Sequence, residues 1–127
     1  MFYIYQSPSL GWEYLPASAI TPKVGLALHM NSGALVVATG TTKPTYICMC
    51  EKETPVNSGE LISVVRVTDN TIFETTSSVA MTSVKSGNKV TLSTDGLEVT
   101  ATTTDGVAEI ISIEDTAKGG KVRVRFA

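Results

Sequence analysis

Apolar and polar residues alternate along most of this chain, and no stretch carries a sustained helical stripe. In VGLALHM, Val24, Leu26, Leu28 and Met30 share one side. In KVRVRFA, Val122, Val124 and Phe126 lie opposite Lys121, Arg123 and Arg125, and in NKVTLS, Val90 and Leu92 pair the same way. A period of two is the pattern of a strand with one buried face. Turn-forming clusters separate the runs: Asn31-Ser32-Gly33, Asn57-Ser58-Gly59, Asp69-Asn70, Ser86-Gly87-Asn88, Thr94-Asp95-Gly96, Asp105-Gly106 and Gly119-Gly120. Thr and Val, which pack well on a pleated surface, abound. Many short strands at this spacing predict an all-β fold, a compact barrel or sandwich.

The pattern also repeats. VGLALHMNSGALVVATGTTKP resembles KSGNKVTLSTDGLEVTATTTDG, with Gly25 and Gly87, Leu35 and Leu97, Val37 and Val99, and Thr41 and Thr103 each 62 apart. Gly59 and Gly120 are 61 apart, and each opens a strand. The repeat predicts two related β-lobes, 21–76 and 77–127, in one compact unit, because a lobe of about 50 residues buries too little surface to stand alone. Lys43-Pro44 and Asp105-Gly106 become equivalent turns. Beyond them the match weakens, with Ile47 opposite Glu109, which predicts an inserted residue or two. The Thr runs 39–45 and 100–104 occupy matching places and read as exposed strands or loops.

Residues 1–20 differ in kind. They hold Phe2, Tyr3, Tyr5, Trp12 and Tyr14, whereas Tyr46, Phe73 and Phe126 serve the rest of the chain. Trp and Tyr are favoured interface anchors. Two readings follow: an extended N-terminal arm that docks on a partner, or a first strand folded back on its own barrel. The arm reading makes Phe2, Tyr3, Tyr5, Trp12, Tyr14 and Leu15 the partner contacts. It also expects a chain without residues 1–15 to keep its β-fold and lose its partner.

Candidate chemistry is sparse. Cys48-Met49-Cys50 lies on a strand, with both cysteines on the side of Tyr46 and with Ile47 and Met49 turned to the core. Structural zinc needs about four ligands. Cys48, Cys50 and the lone His29 fall short, so the thiols read as small packing residues, and no metal or cofactor is expected. His29 is also the one imidazole that could act as a base, and no nucleophile elbow accompanies it. The acidic pairs Glu51/Glu53 and Glu114/Asp115 read as solvated strand ends, and Lys121, Arg123 and Arg125 as a solvated basic face. No enzyme is expected.

A formal net charge of -2 gives no pull towards nucleic acid. With 43% hydrophobic and 17% charged residues the chain reads as globular. No apolar run is long enough to span a membrane. MFYIYQSPSLGWEYLP lacks the basic start and unbroken apolar core of a secretory signal, so a cytoplasmic site of synthesis is expected.

TGTTKPTYICMCEK, SGELISVVRV, IFET, VKSGNKVTLSTDGLEVTATTTDGVAEIISI and the closing GGKVRVRF, preceded by EYLPASA, resemble small proteins encoded in the head-gene clusters of tailed phages and prophages of Firmicutes. Those are taken to be capsid decoration, or cement, proteins. The resemblance spans most of 12–127 and rests on glycine, threonine and alternating valine. Cys50 departs from it, standing where Ala or Glu is expected. The resemblance implies a non-enzymatic virion protein, assembled in the bacterial host cytoplasm. It would bind the major capsid protein on the outer face of the assembled shell and stabilise it, in some cases as a trimer or dimer. The alternative is a head fibre or tail-associated adhesion protein; adhesion to glycans would call for exposed aromatics, and the first lobe offers only Tyr46 before Phe73, a poor platform.

Overall fold

The computed structural model describes residues 1–7 and 11–126. The fold is all-β, as the alternation predicts. Ten strands follow in order: β1 (Tyr3–Gln6), β2 (Trp12–Ala17), β3 (Ala27–Asn31), β4 (Ala34–Val37), β5 (Tyr46–Cys48), β6 (Glu60–Arg66), β7 (Ile72–Thr76), β8 (Lys89–Val90), β9 (Ala108–Ile113) and β10 (Lys121–Phe126). Strands β2-β4-β3-β5-β6 close into a barrel, and β1-β7-β10-β9-β8 form a second sheet packed against it.

There are two cores. One fills the barrel and contains Ala17, Leu26, Leu28, Leu35, Tyr46, Cys48, Ile62 and Val64. The other lies between barrel wall and second sheet. It joins Phe73, Val90, Leu92, Val99, Ile110, Val122, Val124 and Phe126 to Ala27, Ala38, Ile47 and Val65 from the barrel. Strand β5 is therefore buried on both faces: Tyr46 and Cys48 point into the barrel and Ile47 towards the second sheet.

The duplication is written in the backbone hydrogen bonds. Gly25 N–H donates to Cys48 O and Gly87 N–H to Ile110 O, both at 2.8 Å. Thr45 donates to Leu28 O as Val107 does to Val90 O, and Gly59 to Ala17 O as Gly119 does to Ser77 O. Gly25 and Gly87 both hold a left-handed φ, +89° and +94°, which is why glycine stands at both. These pairs move the expected insertion. Leu35 and Val99, which bridge Ala17 and Ser77, stand 64 apart, and Thr45 and Val107 return to 62, so two extra residues of the first unit lie before Thr45, and Ile47 and Glu109 are counterparts. They differ because the second sheet covers the barrel wall at Ile47, whereas Glu109 is only partly covered and pairs with Arg125.

The hydrogen-bonded units also begin earlier than the sequence repeat. Strand β2 pairs with β6 as β7 pairs with β10: Tyr14 lies opposite Ser63 and Glu74 opposite Arg123, at an offset of 60. Each opening strand then makes one parallel bridge, Ala17 to Leu35 and Ser77 to Val99. Five strands of one unit thus occupy 12–66, and β7, placed by the sequence repeat at the end of the first lobe, opens the second unit. The reason is that the opening strand of each unit pairs with its last, a long-range ladder that local similarity does not reveal.

Residues 1–7 and 11–17 take the second of the two readings and fold back on their own chain. β1 adds to the edge of β7, Tyr3 opposite Glu74 and Ile4 opposite Phe73, and β2 closes the barrel. Removing 1–15 would therefore take away β1 and most of a barrel wall, against the expectation that the fold survives such a deletion.

Candidate functional site

The six residues expected at a partner interface separate. Phe2 is 1% exposed, its ring edge-on to Phe126 at 5.2 Å between centroids, so it is a core residue and not a contact. Burial follows from its place opposite the inward face of β7. Leu15 is half-buried and packs on the barrel core. Tyr3 and Tyr5 are exposed on β1, with the Arg123 guanidinium carbon 4.0 Å from the Tyr5 ring centroid. Trp12 and Tyr14 share the outer side of β2.

That outer side carries the most distinctive surface. Opposite Trp12, Tyr14 and Pro16 on β2 lie Val65, Ser63 and Leu61 on β6. Val65 is covered by the second sheet, but Trp12, Tyr14 and Leu61 are 56%, 67% and 58% exposed. Together they form an apolar strip on the barrel wall, running out from under the second sheet. Leu61 was not among the expected contacts. Its signal is the alternation in GELISVVRV, which turns Ile62 and Val64 inward and leaves a leucine outward.

The duplicated unit supplies an internal control for this surface. The counterparts of Tyr14, Leu61, Ser63, Val65 and Ile47 are Glu74, Lys121, Arg123, Arg125 and Glu109. There the face is ionic. Glu74 lies 3.8 Å from Lys121 and 3.4 Å from Arg123, and Arg125 lies 3.1 Å from Glu109. The basic strand is thus ion-paired along a partly solvated face, its three cations sharing two carboxylates. In the first unit the same sites carry no charge, and all but Ser63 are apolar or aromatic. Part of that apolar face is used against the second sheet, and the rest, Trp12, Tyr14 and Leu61, is uncovered. Exposed apolar patches of this kind mark interaction surfaces.

Elsewhere the candidate chemistry is dispersed. Cys48 and Cys50 are free, with sulfurs 3.9 Å apart, and burial pushes the Cys48 thiol up to about 12. His29 follows Ala27 on the side of β3 that faces Ile47, whereas Cys48 is on the barrel side, so the sheet separates imidazole from thiols. Among the described residues no group of three His, Cys, Asp or Glu side chains is placed to hold a metal ion. An open cleft of about 520 Å³ lies between Tyr3, Glu74, Asp95 and Lys121.

No protein-family model matches the chain, and no curated protein matches it. Among solved structures, its fold is similar to that of the head fiber gp8.5 N base in bacteriophage phi29. The TM-score is 0.58 with 17% identical residues, and the match covers 94% of this chain and 95% of that one.

Proposed function

We propose that this protein is a structural, non-enzymatic component of a phage head that binds the outer surface of the assembled capsid. The fold likeness to a head fiber base, over nearly the whole of both chains, supports a place on the head. The observation that carries the binding role is the uncovered strip of Trp12, Tyr14 and Leu61, in which Tyr14 and Leu61 stand where the second unit has the paired Glu74 and Lys121.

The partner is the major capsid protein. A specific interface buries about 1,200–2,000 Å² in total, and exposed Trp and Tyr serve as its energetic centre. A protein that binds assembled shell and not free subunits stabilises the shell by mass action, so decoration and cementing follow from contact alone. A second reading, the base of a head fibre, is favoured by what the similar structure is. The two share the docking step and differ in what the outer surface carries.

The test is co-sedimentation of the protein with assembled shells of the phage that encodes it, for the native chain and for Trp12→Ala and Tyr14→Ala. Losing an aromatic anchor costs about 2 kcal/mol or more, roughly a 30-fold weaker Kd. Native-like shell binding by both variants would sink the assignment of the strip. Imaging of native particles separates the two readings: low, even decoration marks a cement protein and projecting rods mark a fibre.

A further inference from the structure

The two units treat one edge differently. In the second unit, β7 pairs with β10 on one side and receives β1 on the other. In the first unit, β2 pairs with β6 in the matching register and bridges β4 at Ala17. Along Trp12–Leu15, where β1 would lie by analogy, no strand borders β2 among the described residues. Peptide groups of a strand point alternately to its two sides, so every second N–H and C=O of this segment faces that edge. Pro16 fits such a position, because a proline within a strand is tolerated where its nitrogen faces no ladder partner.

We infer that the β2 edge is an acceptor for an extended segment of the capsid surface protein, which adds to Trp12–Leu15 as β1 adds to β7. This deepens the head-binding reading and rests on it. Strand addition takes its affinity from main-chain hydrogen bonds and its specificity from alternate side chains.

The seat also says what fits it. β1 anchors through Phe2, which meets Phe126 at 5.2 Å, with Phe73 5.5 Å from Phe126. The counterparts of Phe73 and Phe126 are Glu13 and Arg66, an ion pair at 3.2 Å, with Arg66 also 5.1 Å from the Tyr46 ring. An aromatic anchor there would strip water from charges that gain nothing from it. A second copy's β1 is therefore the wrong ligand, and it is already seated on its own β7. The fitting segment is about four residues long by analogy with β1. It turns a polar side chain to Glu13 and Arg66, an apolar one to Leu15, and its outward residue to Trp12 and Tyr14.

Hydrogen–deuterium exchange of the full chain, free and bound to assembled shells of its phage, tests this residue by residue. In the free protein the β2 amides that face β6 should be slow and those that face the open edge fast. On shells the outward amides within 12–15 should slow by about tenfold or more. Shell binding with those amides still fast overturns strand addition and leaves the head reading standing. Absence of shell binding removes the head reading, and this inference with it.

Discussion

Truncating Phe2 to alanine separates a folded first strand from a free arm. The ring is fully buried, touches Phe126 edge-on and closes one end of the core between the sheets. Phe→Ala in such a site costs about 3–5 kcal/mol, because the transferred surface is lost and a cavity is left. A strand added at a sheet edge sets a ceiling on that cost. β1 can undock alone, so the loss saturates at its docking free energy. That docking also includes the ladder to β7 and the bond from Phe2 N–H to Gly25 O at 2.9 Å. Tyr5→Ala is the control on the same strand. Its side chain is exposed and its Arg123 contact is worth about 0.5–1 kcal/mol. Guanidinium denaturation should therefore show a large fall in midpoint for Phe2→Ala at nearly unchanged slope, and a small one for Tyr5→Ala. For a domain of this size the thermal midpoint of Phe2→Ala should drop by roughly 10 °C or more. Equal, sub-kilocalorie effects of the two changes would refute the reasoning and return residues 1–7 to the status of an arm.

Tyr14→Glu combined with Leu61→Lys copies the Glu74–Lys121 pair onto the first unit. It should leave stability within about 0.5 kcal/mol by denaturation, as exposed substitutions do, while abolishing co-sedimentation with shells. Gly106→Ala would place a Cβ 2.2 Å from the Lys89 carbonyl oxygen and should destabilise by about 2 kcal/mol or more. Gly33→Ala, with open space but φ +82°, should cost only about 1–2 kcal/mol in the same assay. Cys48 adds a pH dependence. Its folded pKa of about 12 exceeds the ordinary 9.0, so its contribution is intact below pH 9. Between the two values the unfolded chain releases a proton that the fold retains, and stability falls by about 1.4 kcal/mol per pH unit. Cys48→Ala should flatten that alkaline slope, measured as thermal midpoint against pH. In the native protein a thiol reagent should label half-buried Cys50 well before Cys48.

Local alternation was enough to show that this chain is all-β, and it oriented side chains correctly within a strand. Val122, Val124 and Phe126 are buried as their spacing requires, and Tyr46 and Cys48 do share a side opposite Ile47. Matched glycines exposed the duplication, because a left-handed turn admits few other residues. Parity, however, tells which residues share a face, and not what covers that face. Ile47 and Glu109 are equivalent in the repeat, yet one is core and the other paired at the surface, since only the barrel wall meets the second sheet. Phe2 and Tyr3 are neighbours of similar character, and docking on β7 buries one and exposes the other. The aromatic richness of the first residues was legible. The division of those aromatics between core and surface, the addition of Leu61 to Trp12 and Tyr14, and the open edge of β2 depend on which distant strands pair. Tertiary structure decided them because a ladder joins residues about 50 apart, such as Tyr14 and Ser63, whose proximity no local pattern encodes.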